Sequence, residues 1–220
     1  MPPTDERPVI LLTGFGPFPG VPDNATARLV PRLAKAAREL FPSHDVVAEI
    51  LPTEWTAATQ KLAELIARPG TVVALHFGVA RHAHGFRIER VGRNRCNSSE
   101  DAAGCLPPAD VLIEAGPAQL ICTFPAERIV QRLERLGVPV AASDDAGGFL
   151  CNALLYHSLA AAHSMETPRI AGFVHLPTDL PDRNPPRDCR LGMRGAIAGG
   201  LEIIAECLEC IGSLSPVKAG

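Results

Sequence analysis

Apolar residues in this chain fall into short unbroken runs separated by longer, helix-patterned stretches. Pro8 to Thr13 (PVILLT) and Thr71 to Phe77 (TVVALHF) are nearly all apolar, the pattern of strands buried on both faces of a sheet. Val138 to Ala142 and Arg169 to Leu176 are further apolar runs, and Asp45 to Leu51 reads as another strand. Arg87 to Arg93 alternates apolar and charged residues and suits a shorter one. Helices are predicted between these runs. Asn24 is placed to cap one that reaches about Leu40, although Pro31 should kink it or mark its true start. Thr53 caps a second through about Ala67, ended by Pro69-Gly70. Pro125 to Leu136, Gly148 to His163 and Arg190 to Ile211 complete the set. Asn94 to Gln119 has no period, and a loop of that length is functional, a lid, or packed on a partner subunit. Pro177 to Pro186 is a proline-rich loop. The alternation predicts a single α/β domain over residues 1–220, with a mainly parallel or mixed twisted sheet and helices on both faces. Flexible tails are expected at about 1–7 and 215–220.

Composition narrows the function classes. A 46% hydrophobic, 20% charged chain is ordinary for a soluble globular protein. Its net charge of -3 and lack of any Lys/Arg run argue against nucleic acid as a partner. No apolar stretch approaches the roughly 18 residues of a membrane span. Met1 to Pro8 lacks a signal-peptide pattern, so a cytoplasmic location is expected. Seven cysteines without a repeating framework point to reduced thiols. Cys207 and Cys210 form a C-x-x-C, but inside an apolar run and without a second ligand pair, so they read as one face of a helix.

Cys151 is the candidate nucleophile. It follows an apolar run and the turn Asp144-Asp145-Ala146-Gly147-Gly148, at the start of a helical pattern with Leu150, Leu154, Leu155, Leu159 and Ala162 on one face. Orphan amide N–H groups and the helix dipole favour a thiolate at such a place. The competing reading is a small buried hydrophobe. His175 ends the buried run Ile170 to Val174. Ligands in open α/β sheets bind outside the carboxyl ends of strands, where His175 and Cys151 are both expected; the alternative is a core histidine. Glu89 is a charge in a short apolar run, needing a partner if it points inward. Gly14 to Gly20 is not a dinucleotide turn, because its third glycine is misplaced and Pro17 and Pro19 delete donors. It is a stiff loop whose Phe15 and Phe18 either plug the core or line an apolar pocket. His76, His82 and His84 hint at a metal, without a supporting carboxylate; no metal or cofactor is assigned. No G-x-S-x-G elbow occurs.

Four stretches, in order, carry a resemblance: Thr13-Gly14-Phe15-Gly16-Pro17-Phe18; Gly78 to Asn94 with Ile88-Glu89-Arg90-Val91; Ser143 to Asn152 with Ala146-Gly147-x-Phe149-x-Cys151-Asn152; and Gly172-Phe173-Val174-His175-Leu176-Pro177. They resemble pyroglutamyl peptidase I (pyrrolidone-carboxylate peptidase), the cysteine peptidases that remove N-terminal pyroglutamate. The resemblance implies a single α/β domain and a Glu-Cys-His triad at Glu89, Cys151 and His175. It also implies that Phe15 and Phe18 sandwich the pyrrolidone ring, that N-terminally pyroglutamylated peptides are the partners, and a homotetramer, as bacterial members commonly form. Two stretches depart from the family. Gly78-Val79-Ala80-Arg81-His82-Ala83 stands where the family commonly has Gly-x-Ala-Gly-Gly-Arg, so that motif's arginine falls on Ala83, with Arg81 and Arg87 nearby. Arg95-Cys96-Asn97-Ser98-Ser99 replaces the usual Ile-Pro-Asp-Asn run. The expected activity is cysteine exopeptidase cleavage after pyroglutamate through an acyl-enzyme. A cysteine amidohydrolase for another small amide and a non-catalytic ring-binding protein are the alternatives.

Overall fold

The computed structural model describes residues 7–164, 170–182 and 191–214. Apart from Arg7, the expected tails lie outside the described residues, as do Arg169, Arg190 and residues 183–186 of the proline-rich loop. In chain order the elements are β1 (Val9–Phe15), α1 (Ala25–Leu40), β2 (Asp45–Leu51), α2 (Trp55–Ile66), β3 (Thr71–Val79), β4 (Phe86–Glu89), β5 (Val91–Arg93), β6 (Gln119–Ile121), α3 (Ala126–Arg135), β7 (Val140–Ser143), α4 (Leu150–Ser164), β8 (Ile170–Leu176) and α5 (Met193–Leu214). Six strands form one sheet in the order β2-β1-β3-β8-β4-β7. The first four are parallel; β4 runs antiparallel to β8, and β7 runs with β4.

Strand side chains alternate between two cores, which is why the apolar runs are unbroken. Ile10, Leu12, Val73, Leu75, Val174 and Leu176 pack with residues of α1, α3 and α5. Leu11, Phe15, Ala74, Ala171 and Phe173 pack with residues of α2 and α4. The second face also carries the buried polar residues Thr13, His76, Glu89 and His175. Among the described residues no helix is long and apolar enough to cross a membrane.

Several expectations need correction. The segment Arg87 to Arg93 is two strands in two sheets. Arg90 is the break: its N–H donates to Ser143 O (2.7 Å) and its carbonyl accepts from Cys122 N (2.8 Å). β5 then pairs with β6, an unexpected strand, as a two-stranded ribbon. α1 continues through Pro31, because Asn24 already caps it and Leu29, Val30, Leu33 and Ala34 are buried along it. Thr53 is not the cap of α2. Its hydroxyl donates to Gly16 O (3.1 Å), while Trp55 N donates to Asp101 Oδ2 (2.8 Å). That bond ties the 94–119 segment to α2. Asn94 folds the same segment on itself, accepting from Leu112 N and Ile113 N (both 2.9 Å) and donating to Ile113 O (2.8 Å).

Candidate active site

The site grows out of the register of three neighbouring strands. His175 on β8 lies opposite Gly78 of β3 on one side and Arg87 of β4 on the other. Two residues beyond Arg87, Glu89 points to the same face. His175 Nδ1 and Glu89 Oε1 are 2.8 Å apart, in a place where Glu89 has no exposed surface. Arg87 Nε donates to the same Oε1 at 2.9 Å. With Nδ1 engaged, Nε2 is the ring nitrogen left to face Cys151, which lines the same cleft and whose charge acts on the ring. A Cβ built on Gly78 would lie 3.0 Å from Cys151 Sγ and 2.7 Å from the Phe173 ring. Only glycine leaves room there for the sulfur.

Burial pushes the His175 pKa down, but the charge and hydrogen bond of Cys151, then the Glu89 carboxylate, overcome it and raise the pKa to about 9. A different fate meets His76 on the same sheet face. It sits between the Thr13 hydroxyl (2.8 Å from Nδ1) and the Ser158 hydroxyl (2.7 Å from Nε2). Burial without a counter-charge lowers its pKa to about 3.

Cys151 reaches His175 by a route the sequence reading did not anticipate. β7 runs antiparallel to β8, so the two residues do not leave parallel carboxyl ends. Ser143 pairs with Glu89, and Glu89 with Phe173, two residues short of His175. The turn after Ser143 must climb back along the face. Gly147 takes φ +86° to do so, a conformation that costs other residues strain. Side chains brace the climb. Arg90 grips Asp144 with two bonds (2.8 and 2.7 Å), and Arg87 Nη2 donates to Asp145 O (2.6 Å). Asn97 N donates to Gly148 O at 2.7 Å. Asn152 then fastens the helix start to β5, accepting from Arg93 N and donating to Arg93 O, both at 2.8 Å. As the second residue of α4, Cys151 has a backbone N–H with no acceptor inside the helix.

A cleft of about 350 Å³ opens over the thiol. Phe15, Phe18, Cys151 and His175 line it, and Glu89 stands behind His175. Phe15 is buried against Phe173, with ring centroids 6.4 Å apart, while Phe18 is half-buried. Asn24 Nδ2 (3.0 Å) and Thr53 Oγ1 (3.1 Å) both donate to Gly16 O, fixing the loop that carries the two rings. Arg81 also lines the cleft and Ala83 does not; Arg87 is committed to Glu89 and Asp145. No Asp or Glu is among the lining residues. Sequence reasoning missed Asn97, Arg87 as a partner of Glu89, and Asn152 as a fastener. Only adjacency to Cys151 could have flagged Asn152. Among the described residues no three His, Cys, Asp or Glu side chains group as metal ligands, so His76, His82 and His84 do not form a metal cluster.

The pyroglutamyl peptidase family model matches residues 9–185. A pyrrolidone-carboxylate peptidase of Cupriavidus taiwanensis is 33% identical over 222 aligned residues, covering 94% of this chain and 99% of that protein. Its counterpart from Oceanobacillus iheyensis is 32% identical, over 76% of this chain and 83% of that protein. Among solved structures, a pyrrolidone carboxyl peptidase from Fervidobacterium islandicum superposes with TM-score 0.79 at 30% identity, covering 92% of this chain and 99% of that one. A mutant pyrrolidone carboxyl peptidase from Pyrococcus furiosus gives TM-score 0.81 at 25% identity, over 91% and 98% of the two chains. With thiol, imidazole and carboxylate on the same scaffold, the chain belongs to the pyroglutamyl peptidase family.

Proposed function

We propose that this protein hydrolyses the amide bond after an N-terminal pyroglutamyl residue, with Cys151 as nucleophile, His175 as base and Glu89 orienting the imidazole. The observation that carries this reading is the bond between Glu89 and His175 with Cys151 beside that imidazole, in a cleft lined by Phe15, Phe18 and Phe149 and by no carboxylate. A lactam ring is flat and uncharged, so an apolar slot with a few polar groups suits it. His175 takes the thiol proton, and the sulfur attacks the carbonyl attached to the ring. The proton passes to the leaving amine as the tetrahedral species collapses to a thioester. Water, deprotonated by the same imidazole, releases pyroglutamate and restores the thiol. The Cys151 backbone N–H at the helix start is the natural donor to the oxyanion; loss of one such donor typically costs about 3–4 kcal/mol in the barrier. Glu89 sets the tautomer by accepting from Nδ1 and stabilises the imidazolium once it forms.

The chemistry needs a free thiol. Cys151 is one of six described cysteines outside any disulfide, which suits a reducing cytoplasm. A fluorogenic pyroglutamyl amide tests the reading, with prolyl and glutaminyl amides as controls. The expected result is turnover of the pyroglutamyl amide alone, lost in Cys151→Ser. Undiminished turnover in that variant would overturn the mechanism, and preference for another amide would overturn the substrate.

A further inference from the structure

Arginines crowd the nucleophile turn, and all but one of them are occupied. Arg87 pairs with Glu89, Arg90 with Asp144 and Glu127, and Arg95 lies 3.8 Å from Asp145. Arg93 donates to Asp144 O and to Gln119. Arg81 differs. It lines the cleft, is exposed, and has no ion pair or hydrogen bond among the described residues. Its guanidinium rests beside the turn that follows Phe18: a Cβ built on Gly20 would lie 3.3 Å from Nη2. It therefore stands between the loop after β3 and the ring-bearing loop, at the rim of the reacting centre.

A guanidinium is matched to carboxylate, and at a cleft edge with no carboxylate of its own it is a ready anion receptor. The anion cannot belong to the pyroglutamyl group, which is neutral: its α-amine is locked in the lactam and its α-carboxyl is the acyl under attack. Any negative charge must lie beyond the scissile bond. We propose that Arg81 is a specificity-determining residue that binds a carboxylate on the leaving portion of the peptide. The preferred substrates are then pyroglutamyl peptides with an acidic residue directly after the ring, or dipeptides whose free C-terminal carboxylate falls at the same distance. This inference rests on the pyroglutamyl peptidase reading and assigns it a leaving-group preference.

The test is a comparison of kcat/KM in two matched pairs, at low and raised salt. Pyroglutamyl-glutamate amide is set against pyroglutamyl-glutamine amide, and pyroglutamyl-alanine against its C-terminal amide. Wild-type protein should favour the acidic member of at least one pair by about tenfold at low salt, a preference that shrinks as salt screens the charge. The pair that responds identifies the source of the carboxylate. In Arg81→Gln the ratio should fall to about one, and Arg81→Lys should keep part of it. Hydrolysis of both members within twofold in both pairs overturns the assignment to Arg81 while leaving the peptidase reading standing, as does a preference that survives Arg81→Gln. Failure to hydrolyse any of the four peptides overturns the peptidase reading and this inference with it.

Discussion

His76 and His175 are buried on the same face of the same sheet, on adjacent strands, and both lie near the ring of Phe173. One helix addresses them both: α4 presents Cys151 to His175 and, two turns further along, Ser158 to His76. Their chemistry is nevertheless opposite. His76 meets only hydroxyls, which satisfy a neutral imidazole but cannot offset the desolvation of an imidazolium, and its pKa falls to about 3. His175 meets a carboxylate and a thiol, and its pKa rises to about 9. The comparison teaches that burial by itself makes a histidine inert in this fold. In the proposed mechanism a charged partner is what turns the same kind of position on the sheet into a proton-transfer site.

The largest effect should come from making His175 resemble its neighbour. Glu89→Gln keeps the shape but removes the charge, and its amide can present an N–H where Nδ1 needs an acceptor. In a serine triad the analogous change costs about 10⁴ in kcat, and kcat/KM should fall here by roughly 10³–10⁴. NMR titration of the imidazole should show the His175 pKa moving down toward that of His76. A variant with near-normal turnover would break the assignment of Glu89.

Little of this contrast was legible in the chain itself. His76 and His175 both interrupt apolar strand runs, and nothing local tells them apart; the difference lies in β4, which inserts beside β8 and delivers Glu89. The strands β1, β3 and β8 were legible because strands buried on both faces are written as continuous apolar runs, while β2 is the half-buried edge strand. β6 was not, since Gln119 and Ile121 are exposed and only three residues pair. The antiparallel direction of β4 and β7 was also hidden, as it follows from how the chain returns rather than from any residue in it. Glu89, Cys151 and His175 could be picked out together by family resemblance. Asn97 on the cleft wall appears only once distant segments meet, whereas the pairing of Arg87 with Glu89 follows from the two-residue period of β4 and could have been read from it. The cap of α2 shows the same limit: Asp101 is 46 residues from the Trp55 N–H it receives.

The two histidines should also leave opposite marks on stability against pH. His76 has a folded pKa well below the unfolded value near 6.5, so below that pH the unfolded chain binds a proton that the folded chain refuses. Stability should therefore fall as the pH drops from 6.5 toward 3, by up to about 1.4 kcal/mol per pH unit. For His175 the folded pKa is the higher, so its contribution is complete below about 6.5 and is lost as pH rises through 9. Urea unfolding of wild type and His76→Asn across this range isolates the first effect. The difference between the two curves should decline toward acid and be flat above pH 7. A flat difference throughout would mean that His76 takes up its proton in the folded state.

The smallest expected effect tests whether the hydroxyls around His76 are purely structural. Thr13→Val replaces the hydroxyl by a methyl of similar volume and leaves Nδ1 without its 2.8 Å partner. An orphaned buried polar group costs about 1–3 kcal/mol, so the urea midpoint should drop accordingly. Activity should change little, because Thr13 bonds to His76 and not to the line that joins Glu89, His175 and Cys151. The sharper form of the test adds Ser158→Ala. With both hydroxyls gone, His76 keeps no polar partner, so the double variant should be less stable than either single one while its pH–rate profile stays that of wild type. A shifted profile would show that the two buried imidazoles are coupled through the Phe173 ring or through α4, and the inert site would then be part of the active one.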